Sequence, residues 1–223
     1  KDKVDIANSA KKKNKYFGTD GFRGEANITL TSMQAYKVGR FLGWYFGSKL
    51  SGCTKAGYRP RIVVGKDTRR SSYMLEYSIV AGITASGADA YMLHVTTTPS
   101  VSYITRMGEF DCGVMITASH NPYYDNGIKI INKMGEKLDD NTAHLIELYI
   151  DGKLDELGIS ENDIPYAKRN KIGKIVDYTA GRNRYIGYLI SLASNSYKRL
   201  QIGIDTANGA SWSIAKAVFE ALG

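Results

Sequence analysis

Apolar residues in this chain occur either in short unbroken runs or at helical spacing, and the two patterns alternate along the sequence. Unbroken apolar runs are typical of strands that are covered on both faces of a sheet. Residues 111–117 form such a run, and shorter or mainly apolar runs predict further strands at residues 61–65, 88–95 and 127–132. Helical spacing predicts helices at residues 31–49, 74–86 and 139–150, and a further helix that begins at Thr98-Pro99. Such alternation predicts an α/β fold, a layered sheet with helices on its faces.

Several element ends carry local signals. Thr31 and Gln34 have the spacing of a capping box, which opens a helix. Gly87 is placed as the C-terminal stop of the second helix. Thr98 is the expected capping hydroxyl, with Pro99 at the first helical position. Asn126-Gly127 is a strong turn signal, and it is expected to separate the third strand from the fourth.

The pattern changes in the C-terminal third of the chain. Residues 151–174 are polar and irregular and are predicted to be a linker. A new pattern then begins: a helix at 177–197, a strand at 200–205 and a helix that ends at Leu222. One strand between two helices is too little for an independent core. Residues 175–223 are therefore predicted to be the truncated start of a second domain.

Composition fits a globular protein, with 43% hydrophobic and 23% charged residues in a chain of 223. The formal net charge of +8 permits nucleic acid or phosphorylated small molecules as partners. Part of this charge lies in the lysine-rich residues 1–14, which are predicted to be a solvated, disordered tail. That tail is the only support for nucleic-acid binding, because no basic stripe interleaved with aromatic residues occurs elsewhere.

Two features bear on location. No stretch of about 18 apolar residues occurs, so no membrane span is expected, and the N-terminal residues lack the apolar core of a signal peptide. Cys53 and Cys112 do not make a disulfide framework or a metal cluster, and Cys112 is expected to be a buried small hydrophobe. A reducing, cytoplasmic location fits best.

The stretch Thr117-Ala-Ser-His-Asn-Pro122 follows the third predicted strand. Ser119 therefore lies where open α/β sheets bind ligands, although Ser, Asn and Pro together are equally typical of an ordinary turn. A hydrolase is disfavoured because no Gly-x-Ser-x-Gly motif surrounds Ser119. A hydrogen bond between Ser119 and His120 is not expected, since adjacent side chains in extended backbone point apart.

Phosphoryl transfer uses more of this stretch, because it needs positioning and positive charge more than a strong base. The turn at Asn126-Gly127 is expected to bring Lys129 back into the sheet beside Ser119. A third polar loop, residues 66–69, follows the first strand in the same way.

A second cluster, Phe17-Gly-Thr-Asp-Gly-Phe-Arg-Gly24, holds three glycines around polar residues. Glycines allow backbone N–H groups to approach an anion closely, and the planar guanidinium of Arg23 suits a phosphate. The alternative is a glycine-rich turn with an arginine in solvent.

Together, these motifs resemble those of the α-D-phosphohexomutases. The resemblance rests on TASHNP with NGIK, on FGTDGFRG, on GKDTR and on DTANGA, and it extends over residues 15–223. It implies an α/β/α first domain with a mixed sheet and a C-terminal linker over residues 15–174, followed by the start of a second, similar domain.

The resemblance also implies roles for residues. Ser119 matches the serine that carries a phosphoryl group and binds Mg²⁺ through it. Lys129 and Arg23 match residues that contact the reacting groups and assist proton transfer, and His120 matches an active-site histidine. The resemblance also implies that four further positions of the two motifs bind substrate or phosphate: Thr19, Asp20, Gly21 and Asn121.

Among these enzymes the motifs are most similar to the branch that interconverts glucosamine 6-phosphate and glucosamine 1-phosphate. The implied intermediate and activator is a hexosamine bisphosphate. The alternatives are a branch that acts on hexose phosphates and a fragment that binds phosphosugars without turnover. The family's metal loop, sugar-specificity loop and last phosphate-binding loop do not occur in this sequence, so the chain alone is expected to be inactive as a mutase. A homodimer is compatible with the family.

Overall fold

The computed structural model describes residues 14–108, 110–160 and 163–223, so the predicted tail lies outside the described residues except for Asn14. The strands are β1 (Phe17–Gly18), β2 (Gly21–Glu25), β3 (Arg61–Lys66), β4 (Asp89–Val95), β5 (Cys112–Ile116), β6 (Asp125–Asn132) and β7 (Ile175–Asp177). The helices are α1 (Ser32–Tyr45), α2 (Arg70–Ala85), α3 (Thr98–Met107), α4 (Asp140–Ile150), α5 (Thr179–Ser191) and α6 (Trp212–Leu222).

The seven strands of the described residues form one mixed sheet in the order β1-β2-β6-β5-β3-β4-β7. Strands β5, β3, β4 and β7 are parallel, whereas β6, β2 and β1 are joined by antiparallel pairing. One core lies between the sheet and helices α1, α2 and α4, and a second lies between the sheet and helices α3, α5 and α6. The predicted layered α/β fold with a mixed sheet is therefore confirmed.

The first residues of the helices show which helix starts the local sequence predicts correctly. The capping box of α1 is present: Gln34 N donates to Thr31 Oγ1 at 3.3 Å, and Thr31 N donates to Gln34 Oε1 at 2.8 Å. Helix α3 is capped by Thr97 rather than by the predicted Thr98, because the helix begins one residue earlier than expected. Helix α2 starts at Arg70, four residues before the predicted start. Its polar first turn lacks the apolar periodicity on which that prediction rested.

The predicted turn at Asn126-Gly127 is wrong, because both residues lie inside β6. The buried amide of Asn126 is satisfied there: Nδ2 donates to the hydroxyls of Ser71 and Ser72 at 2.9 and 3.0 Å, and Oδ1 accepts from Gly127 N at 2.8 Å. The two serines belong to α2, which is far from Asn126 in the sequence. The chain instead reverses direction between Ala118 and Asp125.

The C-terminal third packs onto the same sheet. Strand β7 pairs with β4, and helix α5 packs against α3. The predicted linker, residues 151–174, is anchored through its carbonyl groups, because the buried guanidinium of Arg40 donates to Ile164 O at 2.7 Å and to Pro165 O at 3.3 Å. The division of the chain into two domains at residue 174 stays a prediction.

The predicted strand at residues 200–205 is wrong, since this segment pairs with no strand among the described residues. Its alternate apolar side chains, Leu200, Ile202 and Ile204, are exposed. A β-prone run becomes a strand only where a neighbouring strand supplies hydrogen bonds.

None of the helices in the described ranges is long and apolar enough to cross a membrane.

The two cysteines differ in burial, and this difference is testable. Cys112 lies buried in β5, and burial raises the pKa of its thiol well above the ordinary value, whereas Cys53 is partly exposed. Because only the thiolate reacts, we expect iodoacetamide to modify Cys53 alone in the folded protein and Cys112 only after unfolding. Mass spectrometry of the protein and of a Cys53→Ser variant measures this. Equal labelling of both thiols in the folded state would contradict the buried position of β5.

Candidate functional site

The loop that joins β5 to β6, residues 117–124, presents Ser119 to solvent. We call this segment the Ser119 loop. The backbone of Ser119 is left-handed, with φ of 58°, which is uncommon for a residue other than glycine. Ser119 N donates to Thr117 Oγ1 at 3.0 Å. The hydroxyl is thus exposed at the carboxyl end of a buried parallel strand, where α/β sheets usually bind ligands.

A hydrogen bond does join the two residues that were expected to point apart. Ser119 Oγ and His120 Nδ1 lie 3.2 Å from each other. The expectation failed because it assumed extended backbone, whereas the left-handed turn at Ser119 brings the adjacent side chains to the same side. No carboxylate of the described residues contacts His120, so the third member of a hydrolytic triad is missing.

The β1–β2 hairpin brings the glycine-rich motif to this loop. Thr19 and Asp20 form its tip, and both are exposed. Gly21 has φ of 94°, and a Cβ there would lie 2.5 Å from Ile128 O, so glycine alone allows the hairpin to lie against β6. Arg23 on β2 then donates from Nη1 to Asn121 Oδ1 at 3.3 Å, while its Nη2 lies 3.3 Å from Asp20 Oδ2.

Lys129 lies elsewhere than predicted. Register places it opposite Met115 on β5, four residues before Ser119, because the turn that was expected to return it beside Ser119 does not exist. Lys129 instead lines a cavity of about 470 Å³. The hairpin residues Thr19, Asp20 and Gly21 line the same cavity, as does the start of α3. Within the described residues, its amine forms no hydrogen bond or ion pair.

Eight residues were predicted from sequence to form the site, and the structure places them in two groups that meet at the hairpin. The first group surrounds the Ser119 loop: Ser119, His120, Asn121, Arg23 and Asp20. The second lines the cavity: Lys129, Thr19 and Gly21, again with Asp20. The cavity does not include Ser119, so the exposed serine and the partly buried lysine are separate parts of one surface.

The loop that follows β3 was expected to be a third polar loop at residues 66–69, and it supports the site. Asp67 Oδ2 accepts from Thr117 Oγ1 at 2.9 Å, and Arg69 donates to backbone carbonyls of the Ser119 loop. Thr68 Oγ1 donates to Asn208 O at 2.7 Å, which brings the DTANGA segment to the same place. Its position indicated the loop, because adjacent parallel strands end at the same edge of a sheet, but the sequence assigned no role to Asp67, Thr68 or Arg69.

The donors of this region do not make a complete Mg²⁺ site. The described ranges contain no group of three or more His, Cys, Asp or Glu side chains that could hold a metal ion. Asp67 lies close to the loop, but its carboxylate already accepts hydrogen bonds from Thr68, Arg69 and Thr117. Mg²⁺ prefers carboxylate and phosphate oxygens, so a phosphoserine at position 119 would be a stronger ligand than the free hydroxyl.

A family model covers most of the described chain. Residues 14–155 match the family described as phosphoglucomutase/phosphomannomutase, alpha/beta/alpha domain I. The matched range contains both residue groups of the candidate site.

Curated relatives extend this match. The chain is 63% identical over 209 residues to phosphoglucosamine mutase of Lachnospira eligens, covering 94% of this chain and 44% of the relative. It is 60% identical to the protein of that name from Lachnoclostridium phytofermentans, covering 94% and 43%. The identity to the Clostridioides difficile protein of that name is 44%, covering 94% and 44%. The chain thus spans less than half the length of these relatives.

Solved structures agree on the fold. A phosphoglucomutase/phosphomannomutase family protein from Burkholderia thailandensis superposes with a TM-score of 0.68 at 20% identity, covering 93% of this chain and 42% of that one. A putative phosphomannomutase from Thermus thermophilus gives a TM-score of 0.59 at 24% identity, covering 80% and 36%. At these identities the likeness bears on the fold alone.

Proposed function

Because this chain belongs to the phosphoglucomutase/phosphomannomutase family, we propose that it forms the phosphoryl-carrying part of a phosphoglucosamine mutase, with Ser119 as the carrier. The whole protein would interconvert glucosamine 6-phosphate and glucosamine 1-phosphate. The name comes from relatives at 60–63% identity, of which this chain covers less than half.

One observation supports the carrier role above the others: Ser119 is exposed at the carboxyl end of β5 and is held in a left-handed conformation. Positive φ is uncommon for a residue other than glycine, and here it coincides with exposure of the hydroxyl at the end of the strand. The guanidinium of Arg23 reaches the same loop through Asn121. A phosphoserine adds about −1.5 to −2 charges, which a guanidinium at the loop would partly offset.

In the proposed reaction, the bond from phosphorus to Ser119 Oγ breaks as a bond from phosphorus to a sugar hydroxyl oxygen forms. The sugar hydroxyl gives up its proton, Ser119 Oγ takes up one proton by way of His120, and a bisphosphate results. In the second half, the other phosphoryl group moves from the bisphosphate to Ser119 Oγ, which leaves the isomeric monophosphate. His120 Nδ1 lies 3.2 Å from Oγ and is placed to accept the serine proton in that half.

Lys129 has a different part in this proposal. Lys129 lines the cavity with the hairpin tip and with the carboxylates of Asp20 and Glu136, and its amine forms no direct ion pair with a described group. We assign it to binding the phosphate or hydroxyl oxygens of the sugar. When bound, Mg²⁺ would offset negative charge on the transferring phosphoryl group. Apart from a phosphoserine at position 119, the ligands of the Mg²⁺ ion would come from outside the described residues. We also propose that the whole protein is located in the cytoplasm and forms a homodimer.

The choice of sugar is tested on the whole protein. We expect ³¹P NMR to show faster conversion of glucosamine 6-phosphate than of glucose 6-phosphate or mannose 6-phosphate. Faster conversion of either hexose phosphate would move the function to the hexose branch of the family. Binding of all three sugars with no turnover would overturn the mutase proposal in favour of a phosphosugar-binding protein.

A further inference from the structure

Arg69, the last residue before α2, connects its guanidinium to most of the Ser119 loop. Nη2 donates to Ser119 O at 2.9 Å and to Asn121 O at 2.8 Å. Nη1 donates to Pro122 O at 2.5 Å and to Asp125 O at 3.0 Å. One side chain therefore contacts the loop at the reactive serine and at its return into β6.

The same side chain is fixed from the other direction. Arg69 Nε donates to Asp67 Oδ2 at 3.1 Å, and both side chains are nearly buried, with 11% and 13% exposed. Asp67 Oδ2 also accepts from Thr117 Oγ1, which in turn accepts from Ser119 N. Both sides of Ser119 thus depend on one ion pair: its N–H through Thr117 and Asp67, and its carbonyl through Arg69.

We propose that Arg69 is a positioning residue for phosphoryl transfer, which holds Ser119 in its left-handed conformation at the reacting point. This inference rests on the proposed carrier role of Ser119. Arg69 does not touch the Ser119 hydroxyl, so it acts through the backbone. Only arginine suits this task, because its rigid fork presents five donors in a plane, whereas lysine has one nitrogen and cannot span four carbonyls.

Loss of the fork should release the loop without unfolding the sheet. A misplacement of about 1 Å can lower the rate of a positioned reaction about a hundredfold. For Arg69→Gln we therefore expect the maximal rate of phosphoryl transfer to Ser119 to fall between roughly tenfold and a hundredfold. The donor concentration for half-maximal rate should change little, because Arg69 contacts no substrate.

The test uses Arg69→Gln, Arg69→Lys and the control Arg70→Gln. Arg70 is exposed at the first position of α2, so its replacement removes the same charge one residue away without touching the loop. Two measurements are made on the whole protein with Mg²⁺ present: hydrogen exchange resolved over residues 117–126, and the rate of phosphoryl gain from glucose 1,6-bisphosphate followed by intact mass.

We expect faster exchange confined to residues 117–126 and slower phosphoryl gain in both Arg69 variants, with Arg70→Gln like the parent. Unchanged exchange in Arg69→Gln, or parent-like behaviour of Arg69→Lys, would overturn the inference. Faster exchange over the whole sheet would also overturn it, since Arg69 would then only support the fold. If the parent itself gains no phosphoryl group, the carrier role fails and the transfer role of Arg69 fails with it, while the exchange result still decides whether Arg69 holds the loop.

Discussion

Replacement of Ser119 by alanine is expected to lower sugar-phosphate interconversion by the whole protein by roughly a thousandfold or more, as removal of a nucleophile does in other enzymes. The neighbouring hydroxyl of Thr117 cannot replace it. The hydroxyl of Thr117 is already engaged with Asp67 and with Ser119 N, and its side chain is buried. Initial rates measured by ³¹P NMR with glucosamine 6-phosphate give the comparison.

A matched serine variant controls for the substitution. The hydroxyl of Ser78 on α2 donates to Met74 O within its own helix, so Ser78→Ala should keep the parent rate. Circular dichroism should show both variants folded, because Ser119 is exposed and its removal leaves no buried group unpaired. A Ser119→Ala protein that keeps more than a small fraction of the parent rate would exclude Ser119 as the carrier.

The replacement of Lys66 by methionine is expected to destabilise the fold by about 3–5 kcal/mol. Lys66 and Glu76 form an ion pair in which the two side chains are 3% and 0% exposed. The ammonium of Lys66 also lies 4.0 Å from the centre of the Tyr73 ring. Without Lys66, the Glu76 carboxylate would remain buried with no opposite charge, and burial of an unpaired charge is strongly unfavourable. Urea unfolding at neutral pH measures the change.

Two further variants show whether the pair itself is responsible. Lys66→Met combined with Glu76→Leu should recover most of the lost free energy of unfolding, because no buried charge then remains. Lys216 and Glu220 form an exposed pair on α6, so Lys216→Met should cost at most about 1 kcal/mol. A single Lys66→Met variant as stable as the parent would contradict the buried pair.

Elements fixed by local chemistry could be predicted from the sequence. The capping box of α1 needs only Thr31 and Gln34, and apolar runs predicted the buried strands β3 and β5. The error at Asn126 has the opposite cause. Its amide is satisfied by Ser71 and Ser72, more than fifty positions earlier, and no local pattern records such partners.

In the candidate site, too, the sequence predicts residues that belong to local motifs but not contacts between distant parts of the chain. The motifs identified Ser119, His120 and Arg23, and the structure joins all three to one loop, directly or through Asn121. The bond between Ser119 and His120 could not be foreseen, because it depends on a left-handed residue that the sequence does not mark. Arg69 was visible only as part of a polar loop, since its role comes from four carbonyl groups that carry no side-chain signature.

The most direct measurement of the carrier role is the mass of the whole protein, supplied with Mg²⁺, after exposure to saturating glucose 1,6-bisphosphate. We expect a gain of one phosphoryl group, located on Ser119 by tandem mass spectrometry and absent from Ser119→Ala. No gain at saturating donor, or a gain at another residue that persists in Ser119→Ala, would contradict Ser119 as the phosphoryl carrier.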